Sequence, residues 1–149
     1  MENLHAMLAL HDPDIPTFFG AHYNLEVPGG TVSGGAGYLL SRKAVELVVT
    51  EAFTNKSLCR EQDDGREDAE MAWCLSRLGV HPSVSRDIKR DEETFIPLHI
   101  WSMMTLTEGS WMSTYMMKKP LTGFDCCSER AISFHYISHP RYILYINYF

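Results

Sequence analysis

The chain has 149 residues, of which 45% are hydrophobic and 21% are charged, and its formal net charge is -6. This length allows a real hydrophobic core, either as one domain or as part of a larger one, and the composition is too apolar for a disordered chain. The acidic balance argues against wholesale nucleic-acid binding, which usually needs a basic surface, and no apolar run approaches the ~20 residues that span a bilayer.

The N-terminal residues do not have the pattern of a signal peptide. They lack a basic region, and Asp12 and Asp14 come too early. Two other features favour an oxidising, lumenal setting: an even number of cysteines, and an N-glycosylation sequon, NKS, that begins at Asn55. The cysteines are Cys59, Cys74, Cys126 and Cys127. The lack of a signal peptide conflicts with these lumenal features. We therefore expect an upstream segment to be absent from this chain.

Helical and strand-like patterns alternate along the first half of the chain. Residues 2–12, ENLHAMLALHD, predict an amphipathic helix that ends before Pro13. Residues 17–27, TFFGAHYNLEV, predict a strand pair or an extended ribbon. Ser41 is a good N-cap for a second helix. The expected apolar stripe of that helix is Ala44, Val45, Leu47, Val48 and Ala52.

The second half begins with a polar loop at residues 54–66, followed by a helix at residues 67–79 with Gly79 as its C-cap. The inward positions of this helix are Met71, Ala72, Leu75 and Leu78. Further on, RAISFHYIS is typical of a strand, whereas RYILYINYF fits a strand or a helix. The alternation of the two patterns predicts an α/β protein.

A glycine-rich stretch precedes the second helix. It contains Gly29, Gly30, Gly34, Gly35 and Gly37 within nine positions. The stretch completes neither G-x-G-x-x-G nor G-K-[ST], so it is not a phosphate loop of a known kind. On local chemistry, the glycines serve a tight turn or a close approach of the backbone.

Two polar clusters are candidates for chemistry. Residues 63–70, DDGREDAE, hold five carboxylates, which either form a solvated helix start or present one general base beside a cleft. These are Asp63, Asp64, Glu67, Asp68 and Glu70. Near the C-terminus, Cys126, Cys127, His135 and His139 suggest a zinc module, although structural zinc sites usually space paired cysteines by two to four residues. His135 is otherwise a half-buried histidine or a single metal ligand.

A bridge between Cys59 and Cys74 would tie the polar loop to the helix that holds Glu67 and Asp68. On the chain-entropy model it would stabilise the fold by roughly 3 kcal/mol. The alternative is two reduced, buried thiols.

In order along the chain, SGGAGYLLSRKAVE, EDAEMAWCL, SRD, ETFIPLH and GFDCCSERAISFHYI resemble the core 1 β1,3-galactosyltransferases, which belong to the Fringe-related glycosyltransferase-31 group. The resemblance implies that residues 1–149 are the C-terminal half of a GT-A, Rossmann-like catalytic domain. It implies an inverting, Mn²⁺-dependent enzyme that transfers galactose from UDP-galactose to O3 of GalNAc α-linked to Ser or Thr. It also implies a type II membrane protein on the lumenal side of the Golgi membrane, and allows a homodimer.

The resemblance assigns roles to individual residues. Asp68 matches the catalytic base, and His135 matches the metal-binding histidine, since neutral imidazole suits Mn²⁺ beside carboxylates. The loop under the donor and acceptor cleft matches Gly34, Gly35 and Ala36, with Glu67 beside the base. The aromatic positions near the acceptor match Trp111 and Tyr115.

The chain also departs from the family's pattern. The Asp-x-Asp metal motif, the first half of the nucleotide-binding domain and the membrane anchor have no counterpart in it. WMSTYMMKKP, at residues 111–120, replaces a tyrosine-rich stretch, and at least one of Cys126 and Cys127 would have its partner in the absent half. We therefore expect no measurable galactose transfer by this chain alone.

An alternative from another functional class is the family's non-catalytic, chaperone-like member. That relative lacks both the histidine of SFHY and the GGAGY pattern, whereas this chain has His135 and residues 34–38. The catalytic lineage is therefore favoured over the chaperone-like one.

Overall fold

The computed structural model describes residues 2–25, 27–60 and 65–139. The helices are α1 (Glu2–Leu8), α2 (Arg42–Leu47), α3 (Glu67–Arg77), α4 (Ile100–Met104) and α5 (Trp111–Tyr115), with a π-helical turn at Val48–Ala52 and a 3-10 turn at Gly123–Asp125. The strands are β1 (Phe18–Gly20), β2 (His22–Tyr23), β3 (Thr31–Val32), β4 (Tyr38–Leu40), β5 (Phe95–Ile96) and β6 (Ser133–Phe134). This mixture of helices and small sheets confirms the α/β prediction.

The strands form three two-stranded sheets. β1 pairs with β4 and β2 pairs with β3, both antiparallel, whereas β5 and β6 are parallel. Of the two alternatives for residues 17–27, the strand pair is wrong and the extended ribbon fits: two consecutive strands form there, and each pairs with a later strand. Only Ala21 separates β1 from β2, which is too short a connection for a hairpin, since hairpin loops need at least two residues.

The helix predicted after Ser41 forms, and Ser41 is its N-cap: the Ser41 hydroxyl accepts a hydrogen bond from the Ala44 amide at 3.1 Å. Ala44, Val48 and Ala52 lie four positions apart and are buried. Val45, predicted to face inward, is instead 47% exposed. Its position is about 100° around the helix from Ala44, away from the core that α2 contacts.

The helix predicted at residues 67–79 forms as α3, and a Schellman motif closes it. The amide of Gly79 donates to the Ser76 carbonyl at 3.0 Å, and the amide of Val80 donates to the Leu75 carbonyl at 2.9 Å. Gly79 has φ of +75°, which explains the glycine. Of the predicted inward positions, Ala72 and Leu75 are buried, and Met71 and Leu78 are partly buried.

The core is organised around β1, which is buried on both faces. Phe18 packs on one face with residues of α2 and α3, including Leu75, and Phe19 packs on the other with Ala36 and Phe95. Successive strand residues point to opposite faces, so the Phe18-Phe19 pair joins the two clusters. A third cluster holds Ile96, Met103 and Cys126.

Both pairs of cysteines are disulfide-bonded. The Cys59–Cys74 bridge is the one considered from the sequence, and it attaches the loop after α2 to α3. Cys126 is bonded to Cys127 rather than to a residue elsewhere. That one of these two cysteines pairs with an upstream segment stays a prediction for the complete protein.

Parts of three predictions fall outside the described residues: the segment RYILYINYF, two carboxylates of the acidic run, Asp63 and Asp64, and part of the polar loop. Within the described ranges, no helix has both the length and the apolar character needed to cross a membrane.

The burial of Leu75 generates a stability prediction. This side chain is fully buried (0% exposed) at the contact of α3 with β1, so Leu75→Ala should lower the free energy of unfolding by about 2–5 kcal/mol through lost burial and a cavity. The matched control is Leu10→Ala, because Leu10 is 70% exposed and the change should stay within about 0.5 kcal/mol. Urea unfolding of both variants measures the difference, and equal losses would contradict the assigned core.

Candidate active site

A tight turn at residues 34–37, closed by a hydrogen bond from the Gly37 amide to the Gly34 carbonyl at 2.8 Å, connects β3 to β4 and forms the floor of the candidate site. The amide of Gly34 donates to Asp68 Oδ2 at 2.8 Å. A Cβ atom at Gly34 would lie 2.6 Å from Glu67 Oε1 and 3.1 Å from Asp68 Oδ2. Only glycine lets the turn approach this acidic pair so closely.

The acidic pair occupies the first turn of α3. Asp68 is held through its backbone as well, because the hydroxyl of Thr31, on β3, donates to the Asp68 carbonyl at 3.2 Å. Glu67 Oε2 accepts a hydrogen bond from the Tyr38 hydroxyl at 2.7 Å. Burial and this hydrogen bond raise the pKa of Tyr38, so its hydroxyl remains a neutral donor to Glu67. Strands β3 and β4 thus both fix the start of α3.

His135 contacts the same turn at the next residue, Gly35. It directly follows β6, and its amide donates to the Ile96 carbonyl at 2.9 Å. Its Nδ1 lies 3.2 Å from the Pro97 carbonyl oxygen, which can only accept, so Nδ1 carries the proton. In the neutral ring, Nε2 then keeps its lone pair. A Cβ atom at Gly35 would overlap this ring.

Two further contacts, one of His135 itself and one of the strand before it, hold the histidine in place. Its ring stacks on Tyr136, with ring centroids 3.6 Å apart and an interplanar angle of 14°. The Ser133 hydroxyl donates to the carbonyl of Ala36, joining β6 to the glycine turn. The structure therefore brings together the glycine turn, the acidic pair and His135, which the sequence analysis had placed in one cleft only by resemblance.

The predicted aromatic positions lie on α5. Trp111 and Tyr115 are exposed and meet edge to face, with ring centroids 5.5 Å apart. The end of α5 is attached to β2, because the Asn24 amide donates to the Tyr115 carbonyl at 2.6 Å. Within the described ranges, no hydrogen bond joins these two side chains to Asp68 or His135. The pair is connected to the site through β2.

Tyr23, on β2, belongs to the site but was not identified from the sequence. Its hydroxyl lies within interaction range of the side chains of Ser33, Asp68 and Tyr136. Burial raises the pKa of Tyr23 to about 12, so the hydroxyl is neutral at physiological pH. A tyrosine in a short strand of mixed residues gives no sequence signal for this role.

Glu93 and Arg86 form a second missed feature, a buried ion pair. Glu93 is only 2% exposed, and both residues line a cavity of about 200 Å³ that also contacts His22 and Lys118. Burial raises the pKa of Glu93 to about 7, against the opposing effect of the Arg86 guanidinium. The motifs SRD and ETFIPLH contain these residues, but nothing in their spacing indicates that they form a pair.

Two metal centres were predicted, one at His135 and one at Cys126 and Cys127, and they differ in their capacity to bind a metal. In the part of the chain that the structure describes, no group of three or more His, Cys, Asp or Glu side chains could hold a metal ion. His135 offers one ligand, Nε2, which fits one position of a Mn²⁺ site but not a whole site. The zinc module is disfavoured, because the sulfur atoms of Cys126 and Cys127 are bonded to each other and are not free thiolates.

Comparison with known proteins identifies the class. No profile of a known protein family matches the chain. The whole chain aligns with glycoprotein-N-acetylgalactosamine 3-beta-galactosyltransferase 1 of Xenopus laevis, at 35% identity over 153 aligned positions. This relative is a glycosyltransferase by name, and the α/β fold of the chain is compatible with such a domain. The chain belongs to the family of core 1 β1,3-galactosyltransferases, which confirms the resemblance, and it spans 41% of the length of this relative.

The contact between Gly35 and His135 can be tested by a double-mutant cycle. Gly35→Ala should cost about 1–3 kcal/mol of unfolding free energy, because the new methyl group overlaps the imidazole ring. In a His135→Ala background the same change should cost no more than about 0.5 kcal/mol, since the ring is gone. A Trp111→Ala background is the control, where the full cost should persist. Equal costs in all three backgrounds would show that the ring does not lie over Gly35.

The raised pKa of Glu93 predicts a pH dependence of stability. Between about pH 4.5 and about 7 the folded chain keeps the Glu93 proton that the unfolded chain has released. Stability due to Glu93 therefore falls as pH rises through this window and stays low above it. Glu93→Gln, which remains neutral, should match the wild type at the acidic end and exceed it by roughly 1–3 kcal/mol at the other.

Urea unfolding at a series of pH values measures this difference. Comparing the two proteins at each pH cancels the opposite contribution of His22, whose pKa is lowered by burial. The control is Glu51→Gln at an exposed position, which should follow the wild type throughout. A wild type that becomes more stable than Glu93→Gln as pH rises would show that attraction to Arg86 outweighs burial.

Proposed function

We propose that the complete protein is an inverting glycosyltransferase of GT-A fold. It transfers galactose from UDP-galactose to O3 of GalNAc α-linked to Ser or Thr of a glycoprotein, making the core 1 O-glycan. The observation that carries the proposal is the glycine turn, which Asp68 contacts at Gly34 and His135 contacts at Gly35. The name of the Xenopus laevis relative supports the sugar and the acceptor.

Asp68 is proposed as the general base. Its Oδ2 accepts from the Gly34 amide and its Oδ1 from the Ala69 amide, both at 2.8 Å, so the orientation of the carboxylate is fixed. Each oxygen keeps a further lone pair for the acceptor hydroxyl. As the acceptor oxygen bonds to the anomeric carbon, its proton passes to Asp68 and the bond from that carbon to the UDP oxygen breaks.

His135 is proposed to hold the divalent metal through Nε2, together with carboxylates from outside this chain. Mn²⁺, when bound, would neutralise the charge that develops on the departing UDP. The contributions of this chain are to fix the imidazole tautomer through Pro97 and to hold the ring against Gly35. A histidine fixed in this way is a better ligand than a free one.

The acceptor sugar is proposed to lie between the glycine turn and α5. The exposed rings of Trp111 and Tyr115 offer apolar faces, and a pyranose presents C–H groups of matching character. Tyr23 offers a neutral hydroxyl close to Asp68, which suits a sugar hydroxyl. These residues would set the acceptor preference, whereas Asp68 performs the proton transfer.

We place the complete protein in the Golgi lumen as a type II membrane protein that can form a homodimer. The Cys59–Cys74 bridge supports the compartment, because such bonds persist in oxidising environments. A chaperone-like role is the second candidate. The close fit of Gly34 to Asp68 and of Gly35 to His135 favours the catalytic role, since a chaperone needs neither contact.

The two roles are tested in the complete protein with UDP-galactose, a GalNAc-peptide and Mn²⁺. Asp68→Asn should lower kcat by about 10²–10⁴-fold and leave UDP binding nearly intact, because only the base is lost. His135→Ala should instead raise the Mn²⁺ concentration needed for half-maximal rate.

The matched controls are Asp125→Asn and His5→Ala, at exposed positions, which should keep wild-type turnover. Normal turnover of both Asp68→Asn and His135→Ala would overturn the assigned roles. A wild type without turnover that still raises the yield of an active partner enzyme would favour the chaperone-like function.

A further inference from the structure

The segment that follows the π-helical turn forms a small turn around Asn55. The Asn55 amide donates to the Ala52 carbonyl at 3.2 Å, and the Leu58 amide donates to the Asn55 carbonyl at 2.9 Å. The side-chain oxygen of Asn55 accepts two hydrogen bonds from Ser57, one from its amide at 3.1 Å and one from its hydroxyl at 2.7 Å. The carboxamide nitrogen, Nδ2, takes no part in this turn.

All three residues of the sequence Asn55-Lys56-Ser57 are exposed. They lie beyond the end of α2, and none of them contributes to the glycine turn, the acidic pair or the histidine of the candidate active site. The segment is therefore open to a large modifying enzyme, including after the bridge at Cys59 has formed.

Phe53 is an unexplained feature next to this turn. Its ring is 65% exposed and lies two positions before Asn55. Val49, one helical turn earlier, is also exposed. Exposed apolar surface costs free energy in water, and a single aromatic ring with an open face suits a partner with a small apolar face. A pyranose ring attached to Asn55 would offer such a face through its C–H groups.

We propose that Asn55 is N-glycosylated and that the ring of Phe53 packs against the first sugar of the attached glycan. The donor is a lipid-linked oligosaccharide pyrophosphate. The Asn55 Nδ2 atom bonds to the anomeric carbon, the bond from that carbon to the pyrophosphate oxygen breaks, and one amide proton leaves to a base of the transferring enzyme. The lipid pyrophosphate is the other product. Ser57 supplies the hydroxyl that the modification requires.

The inference does not depend on Asp68 or on galactose transfer. It requires only that the chain enters the lumen, so its test must record entry separately. The chain is expressed in cultured mammalian cells behind a cleavable signal peptide, with a C-terminal tag that carries its own sequon. A glycosylated tag shows that the chain has entered the lumen.

Peptide mass spectrometry after treatment with peptide-N-glycosidase F measures occupancy of Asn55. We expect Asn55 to be occupied, Asn55→Gln and Ser57→Ala to lose the modification, and Ser57→Thr to keep it. Occupancy is measured on retained as well as secreted protein, so a variant that fails to fold still gives a result. A glycosylated tag on a wild-type chain whose Asn55 is unmodified would overturn the proposal.

The packing of Phe53 has its own readout. The Tm is compared before and after enzymatic removal of the glycan, in the wild type and in Phe53→Ala. The glycan should raise the Tm of the wild type by about 2–4 °C, which corresponds to ~1 kcal/mol, and should have little effect in Phe53→Ala. Val49→Ala is the control, and should retain the effect of the glycan. Equal effects of the glycan in all three proteins would show that Phe53 does not contact the sugar.

Discussion

The absence of a Cβ atom at Gly34 and Gly35 is the constraint on which the candidate site depends. At Gly34 it admits the acidic start of α3, and at Gly35 it admits the imidazole of His135. These two neighbours, Asp68 and His135, are 67 positions apart in the chain. Neither would reach the turn if Gly34 and Gly35 carried side chains. The site is therefore assembled by close backbone approach, and the strands β3 and β4 serve to present that backbone.

The supporting interactions follow from this geometry. A carboxylate placed against a backbone amide needs its helix held firmly, and Thr31 and Tyr38 provide that from the strands on either side of the turn. The histidine needs a defined tautomer, which the carbonyl of Pro97 gives. In both cases a residue with a proposed chemical role is oriented by a neighbour for which no such role is proposed, as is common where geometry decides reactivity.

The sequence predicted local structure well where a single residue type determines it. Ser41 and Gly79 marked a helix start and a helix end because capping depends on the chemistry of one position. It failed at Val45, whose burial depends on which side of α2 meets the core, and at β1 and β2, whose partners lie far along the chain. The site residues were found by resemblance, whereas Tyr23 and the pair of Arg86 with Glu93 required coordinates, because their proximity arises only from tertiary packing.

Because β5 pairs with β6, changes on α5, which lies between these strands in the chain, are independent of changes at His135, which follows β6. This pairing joins segments that are 38 positions apart and places His135 at the glycine turn. The residues between the two strands form α4 and α5. Substitution at the exposed positions of α5 does not touch the residues that pair in the two strands. The exposed rings of Trp111 and Tyr115 on α5 can therefore be exchanged without moving the histidine, so this surface and the candidate site can change independently of each other.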